Sequence, residues 1–216
     1  MNLVVCFDNL GPYHLARLEE LSLRCDLTVL QYKKRSTDYQ WVSGESASLR
    51  VFTVLDEEVN LVAQAAYGLI TSILCAVKPD VIAIPGWASN FTHMLIRWSI
   101  ENKVPMILMS DSQEIDFPRI KLKERLKSSI VKLFSSALVA GARHRAYLVG
   151  LGFDAARIKT GYDVVDNQYF ASRSAEARSA HQTLRVLFGL PDRYFMCCAR
   201  MIDKKNISYL ISSYAE

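Results

Sequence analysis

The sequence predicts an α/β fold, a Rossmann-like doubly wound parallel sheet, on three observations. Short apolar runs of strand length alternate with stretches of about ten to fifteen residues at helical spacing. The runs are apolar throughout, as in strands covered on both faces. Turn signals such as Gly11-Pro12 and Lys78-Pro79-Asp80 separate the two kinds of segment.

Taken in order, Leu3–Phe7 is a strand, and Gly11-Pro12 turns the chain into a helix carrying Leu15, Leu18 and Leu21. Leu27–Leu30 and Val51–Leu55 are further strands. Leu61–Val77 is a long apolar helix, followed by strand Val81–Ile84, a helix near Phe91–Asn102 and strand Pro105–Met109. A helix over 118–134, strand Ala137–Ala140, a helix near 142–149 and strand Ile158–Thr160 complete a first domain, 1–165. The pattern changes after Gly161. Residues 161–185 are polar, and the next strand signal is Tyr194–Ala199, followed by a turn through Arg200–Asn206 and a helix at 207–216. One strand and one helix bury no core of their own. Residues 166–216 therefore read as a linker and the incomplete start of a second α/β domain, and the chain as a fragment.

The composition narrows the function. The chain has 216 residues, half of them hydrophobic, with 26 Lys and Arg against 22 Asp and Glu. That length suits one domain plus part of another, and that balance excludes a disordered chain. A net charge of +4 is too mild to name a nucleic-acid partner. The apolar runs are too short to span a bilayer. Met1–Asp8 lacks the basic start and cleavage site of a signal peptide and reads as a strand. Five cysteines without CxxC spacing suit a reducing compartment, so the expected location is the cytoplasm. His14, His93, His144 and His181 share no ligand spacing, and no metal or cofactor is expected. The chain lacks GxxxxGK[ST] and GxGxxG, and Gln31 stands where a ribose-binding acid would, so a P-loop or nicotinamide site is disfavoured.

Open parallel sheets bind ligands outside the carboxyl ends of their strands, which singles out the loops 8–13, 31–48, 85–92 and 110–117. Gly11 brings a helix N-terminus to that edge and suits an anion, or simply turns the chain. In Ser110–Asp116, Asp111 stands nearest the strand and is the candidate general base, with Ser110 and Ser112 lining the cleft. Asp116 reads instead as the cap of the helix that Pro118 begins. Trp87 could stack on a sugar or close the edge of the core, and His93 follows it toward the cleft. Arg119, Lys121, Lys123, Arg125, Lys127 and Lys132 against Glu124 make 118–134 basic, with Leu122, Leu126, Ile130 and Leu133 on one face. Such a helix either packs its apolar face on the sheet or touches anionic lipid, at most weakly.

The run Leu151–Phe170, with Leu151-Gly152, Arg157-Ile158 and Gly161-Tyr162-Asp163, resembles the end of the N-terminal domain in retaining glycosyltransferases of family 4, of the GT-B type. Arg200-Met201-Ile202-Asp203-Lys204-Lys205-Asn206 is similar to that family's Arg-x4-Lys segment. The resemblance implies transfer of a sugar from a nucleotide-sugar donor to a glycan or other hydroxyl acceptor, with retention and no required metal, as in glycan or cell-envelope polysaccharide synthesis. It implies that Arg200 and Lys205 hold the donor diphosphate, where fixed cations stabilise the leaving group, with Gly11 approaching the same phosphates. Asp111 stands where the family commonly has a histidine, and the family's Glu-x7-Glu would lie beyond residue 216. A nucleotide-sugar epimerase of the same fold and a non-catalytic binding module are the alternatives.

Overall fold

The computed structural model describes residues 1–34, 46–55 and 63–215. The chain divides into two compact units, Met1–Asp166 and Asn167–Glu216.

The first unit is a seven-stranded, wholly parallel sheet with helices on both faces. Its elements run β1 (Asn2–Phe7), α1 (Pro12–Ser22), β2 (Asp26–Lys33), β3 (Arg50–Leu55), α2 (Ala63–Val77) and β4 (Val81–Pro85). They continue with α3 (Asn90–Asn102), β5 (Met106–Ser110), α4 (Lys121–Val131), β6 (Ser136–Val139), α5 (Ala142–Gly150) and β7 (Ile158–Thr160). The strand order is β3-β2-β1-β4-β5-β6-β7, so the chain winds outward from β1 one way and from β4 the other. Crossovers are right-handed, so reversing the direction of winding moves the helices to the opposite face. The packing shows this. Leu3, Val5 and Phe7 of β1 share a cluster with Leu18 of α1. Val4 and Cys6 point the other way, into the larger cluster with Ile70, Leu74, Phe91, Leu95, Val131 and Leu148 of α2 to α5.

Local chemistry sets the ends. Gly11 is the extended N-cap of α1 with Pro12 in the first turn, where a missing N–H costs nothing. Ser89 caps α3, its hydroxyl accepting the Thr92 N–H at 3.1 Å. The helix expected over 118–134 is shorter. A 3₁₀ turn at Glu114–Asp116 precedes it, and the Asp116 carboxylate accepts the Gln113 N–H at 2.9 Å. Asp116 therefore closes its own turn; the N-cap of α4 is Ile120, with no side-chain cap.

The second unit contains α6 (Asn167–Ser179), α7 (His181–Leu187) and α8 (Ile207–Ala215). Tyr194–Ala199, expected as a strand, is irregular. A strand exists through its ladder, and the described residues of this unit offer no second strand to pair with it. Phe195 instead meets the Tyr214 ring of α8 edge-on, centroids 5.3 Å apart. The polar stretch after Gly161 holds a helix that apolar periodicity could not announce, since α6 buries no face and carries the Arg173–Glu176 pair at 2.9 Å. Among the described residues no helix is long and apolar enough to cross a membrane.

Candidate functional site

The reversal of winding between β1 and β4 opens a crevice at their carboxyl ends, the place where an open parallel sheet receives a ligand. Asp8 follows β1 directly. Its carbonyl accepts the Lys33 N–H at 2.9 Å, and the Asn9 amide donates to the Lys33 and Lys34 carbonyls, which pins the loop to the end of β2. Desolvation by the surrounding loops raises the Asp8 carboxyl above its usual range. A hydrogen bond with the Ser89 side chain and the charge of Lys33 pull it partly back.

Gly11 is buried, and its N–H is already engaged. It donates to Nδ1 of His14 at 3.0 Å, while the Gly11 carbonyl accepts the N–H groups of His14 and Leu15 at 2.9 and 3.2 Å. The imidazole stacks on Phe7 with centroids 4.2 Å apart. A phosphate reaching the Gly11 N–H has to displace that ring. Accepting at Nδ1 requires the neutral imidazole. Desolvation first, and then the Arg17 charge, lower its pKa from 6.5 to about 4, against a hydrogen bond to the Asn9 backbone. In the pH interval between those values the unfolded chain binds a proton that the fold refuses, so stability rises with pH. This contribution is complete above pH 6.5 and is lost as pH falls through 4. The loss amounts to about 3 kcal/mol by the acid end. Urea titrations at pH 7 and pH 5 should show the loss in the native sequence and a flatter dependence in His14→Asn.

Two more carboxylates stand at the same edge. Gly161 has φ +102°, a conformation that disfavours any side chain, and there the chain leaves β7. Tyr162 then donates its N–H to the Val139 carbonyl at 3.1 Å and packs into the cluster under α1. The Arg17 guanidinium lies over the Tyr162 ring at 5.2 Å, donates to the Tyr162 carbonyl and sits 4.0 Å from the Asp163 carboxylate. Burial pushes the Tyr162 phenol up to about 12; Arg17 opposes this, and Asp163, Asp111 and Asp8 reinforce it. Asp163 is itself raised, by desolvation and then by repulsion from Asp111, against the pull of Arg17 and His144. Carboxylates from the ends of β1, β5 and β7 thus act on one tyrosine. Among the described residues, no group of three or more His, Cys, Asp or Glu is placed to hold a metal ion.

The remaining predicted residues fall as follows. Asp111 is exposed at the end of β5. Ser110 is buried and its hydroxyl accepts the Ser112 N–H at 3.2 Å, so the two serines close the loop on itself. Trp87 is only 8% exposed and tilts against Tyr147 at 6.4 Å, which leaves little ring face for a sugar. The Nε2 of His93 lies 3.0 Å from the Trp87 carbonyl and fastens the loop before α3. Of the loop 31–48, residues 35–45 lie outside the described residues. Arg200 and Lys205 belong to the second unit. There the Arg200 carbonyl accepts the Ile202 N–H, the Ile202 carbonyl accepts the Lys205 N–H, both at 2.9 Å, and Asn206 at φ 49° leads into α8. Asp8, Arg17, His14 and Tyr162 were not singled out as site residues from the sequence. Asp163 was visible in it only as part of the Gly161-Tyr162-Asp163 run.

No protein-family model matches the sequence, and no curated protein sequence matches it either. Solved structures do share the fold. UDP-GlcNAc 2-epimerase from Neisseria meningitidis, bound to UDP-GlcNAc, superposes with a TM-score of 0.58 at 13% identity, covering 89% of this chain and 54% of that one. S. aureus MnaA, in a co-structure with UDP, gives 0.50 at 12% identity over 77% of this chain and 49% of its own. The lipopolysaccharide outer core galactosyltransferase WaaB gives 0.45 at 9% identity, over 74% and 45%. The chain spans about half the length of these proteins. At such identity the likeness is one of fold alone, the Rossmann-like α/β sheet.

Proposed function

We propose that the chain is the acceptor-side half of a GT-B glycosyltransferase, akin to the retaining enzymes of family 4, that moves a sugar from a nucleotide-sugar to an acceptor hydroxyl. The observation that carries this reading is the acidic crevice. Asp8, Asp111 and Asp163 accept hydrogen bonds from hydroxyls and repel a diphosphate, so this half suits a polyhydroxylated acceptor. The raised pKa of Asp8 brings it closer to the working pH of a base, and it takes the proton of the attacking hydroxyl. Asp111 orients that hydroxyl. The donor diphosphate belongs with Arg200 and Lys205, whose fixed charges and the start of α8 supply the stabilisation that a metal gives elsewhere. The odd count of five cysteines agrees with action in the cytoplasm.

A second reading, nucleotide-sugar epimerase, is favoured by one observation: the Neisseria structure, with a TM-score of 0.58, is an epimerase bound to UDP-GlcNAc. Inverting a carbon in a sugar requires a proton to leave one face and return to the other, and several carboxylates at one crevice could serve.

One experiment separates the readings. The chain joined to a complete donor domain is supplied with UDP-sugars in deuterated water. Transfer releases UDP and glycosylates the acceptor without deuterium entering the sugar, whereas epimerisation leaves deuterium on the inverted carbon. Asp8→Asn should lower transfer about 100- to 10,000-fold with an unchanged melting curve. The 216-residue chain alone should fall far below the roughly 1–1,000 turnovers per second of a typical enzyme. Full activity in Asp8→Asn would sink the assignment of the base.

A further inference from the structure

Asp8 at the end of β1 and Ser89 past the end of β4 meet across the crevice. Val5 pairs with Ala83 in the ladder between those strands, so both segments leave the sheet at the same edge. Gly86, at φ +67°, donates its N–H to the Met109 carbonyl at 2.7 Å and turns the chain after β4. The Ser89 side chain then hydrogen-bonds the Asp8 carboxyl. The neighbours of Ser89 settle the direction of that bond. Thr92, wholly buried, donates its N–H to the Ser89 oxygen at 3.1 Å, and its own hydroxyl donates to the Pro85 carbonyl, also at 3.1 Å. The two hydroxyl oxygens lie 2.9 Å apart. A carbonyl only accepts, so the Thr92 proton is committed to Pro85. Ser89 keeps one proton with two acceptors in reach, the neutral Thr92 oxygen and the Asp8 carboxylate. The charged acceptor makes the stronger bond.

We propose that Ser89 is a positioning residue for Asp8, donating its hydroxyl proton to one carboxylate oxygen and leaving the other to meet the acceptor hydroxyl. This rests on the reading of Asp8 as the base. Ser89 takes no proton in the step: the acceptor's proton goes to Asp8, and the serine proton stays on the serine. The capping duty of Ser89 supplies the rigidity, because an oxygen held by the first turn of α3 is fixed before any acceptor arrives. The other groups that face Asp8 are Lys33 and Tyr32 of β2, Cys6 of β1 and Tyr162, with Asp111 and Asp163 around the same tyrosine. These act on Asp8 through charge, whereas Ser89 acts through a directed bond.

The test reads Asp8 without turnover. Its side-chain carboxyl is followed by carbon NMR through an acid titration of the 216-residue chain, the resonance being identified by its loss in Asp8→Asn. Glycine and threonine both serve at an N-cap, so Ser89→Gly and Ser89→Thr should change the melting curve little. In Ser89→Gly the Asp8 midpoint should rise, since the bond that favours the charged form is gone, and Ser89→Thr should restore it. An unmoved or lowered midpoint in Ser89→Gly would overturn the proposal and leave Ser89 as a cap alone. In the chain joined to a complete donor domain, Ser89→Gly should lower turnover about 10- to 100-fold and move the acid limb of the pH profile to higher pH. In an Asp8→Asn background it should cost nothing further. Turnover that Ser89→Gly leaves intact while Asp8→Asn abolishes it would also overturn the proposal. A raised midpoint beside full activity in Asp8→Asn would remove the base and leave Ser89 as the holder of Asp8.

Discussion

Phe91→Ala destabilises the first unit by about 4 kcal/mol, a large share of the roughly 5–15 kcal/mol that holds a typical domain together. Phe91 is 1% exposed and stacks on Tyr32 with centroids 4.9 Å apart and planes at 20°. It occupies the first turn of α3, two residues after the Ser89 cap, where the helix meets the core cluster that includes Leu30, Ile84 and Leu95. Truncation removes the ring's transfer free energy and leaves a cavity bounded by sheet residues that cannot collapse without breaking parallel register. A urea titration should show a lower midpoint with an unchanged slope. Phe117→Ala, at an exposed ring, should move stability by less than about 0.5 kcal/mol. Equal losses at the two positions would mean that the α3 face is not the core.

The second large effect concerns the donor side. In a protein carrying this chain with a complete donor domain, Arg200→Ala and Lys205→Ala should each lower turnover about 100- to 1,000-fold, or roughly 3–4 kcal/mol, by analogy with losing one oxyanion donor. Charge on the departing diphosphate grows as the sugar bond breaks, so the loss falls on turnover more than on donor affinity. Arg supplies a planar fork and Lys a point charge, and neither replaces the other. Lys204→Ala, outside the Arg-x4-Lys spacing, is the comparison and should change little. Small and equal effects at Lys204 and Lys205 would leave the turn as a solvated connection.

The sheet was legible because buried parallel strands are apolar without interruption. Every strand from Leu3–Phe7 to Ile158–Thr160 lies within a few residues of its apolar run. The Tyr194–Ala199 run was equally apolar, but a run of strand composition says nothing about whether a neighbour is there to accept its hydrogen bonds. Spacing on 118–134 showed that four apolar residues share a face. It could not show that the face divides, with Ile130 packed against the core and Leu122, Leu126 and Leu133 exposed, because the helix is also tied down by the bond from Tyr147 to Glu124, 23 residues apart. The crevice was half legible. Asp111 and Gly11 are loop residues beside strand ends, where position alone suggests a role. Asp8 and Asp163 come together only because strands distant in sequence finish at one edge, and the bond from Gly11 to His14 depends on a ring rotamer that spacing does not encode.

The placement of β1 between β2 and β4 also bears on how the chain is made. β1 can align with β2 soon after both leave the ribosome, because Phe7 and Asp26 are separated by a single helix. Its other edge pairs Leu3 with Val81, 78 residues further along the chain. At roughly 5–20 residues per second, the unpaired edge of β1 waits on the order of 4–15 s for its partner. Slowing translation between β2 and β4 should therefore raise aggregation more than slowing it after β5, since by then the central ladder is closed on both sides.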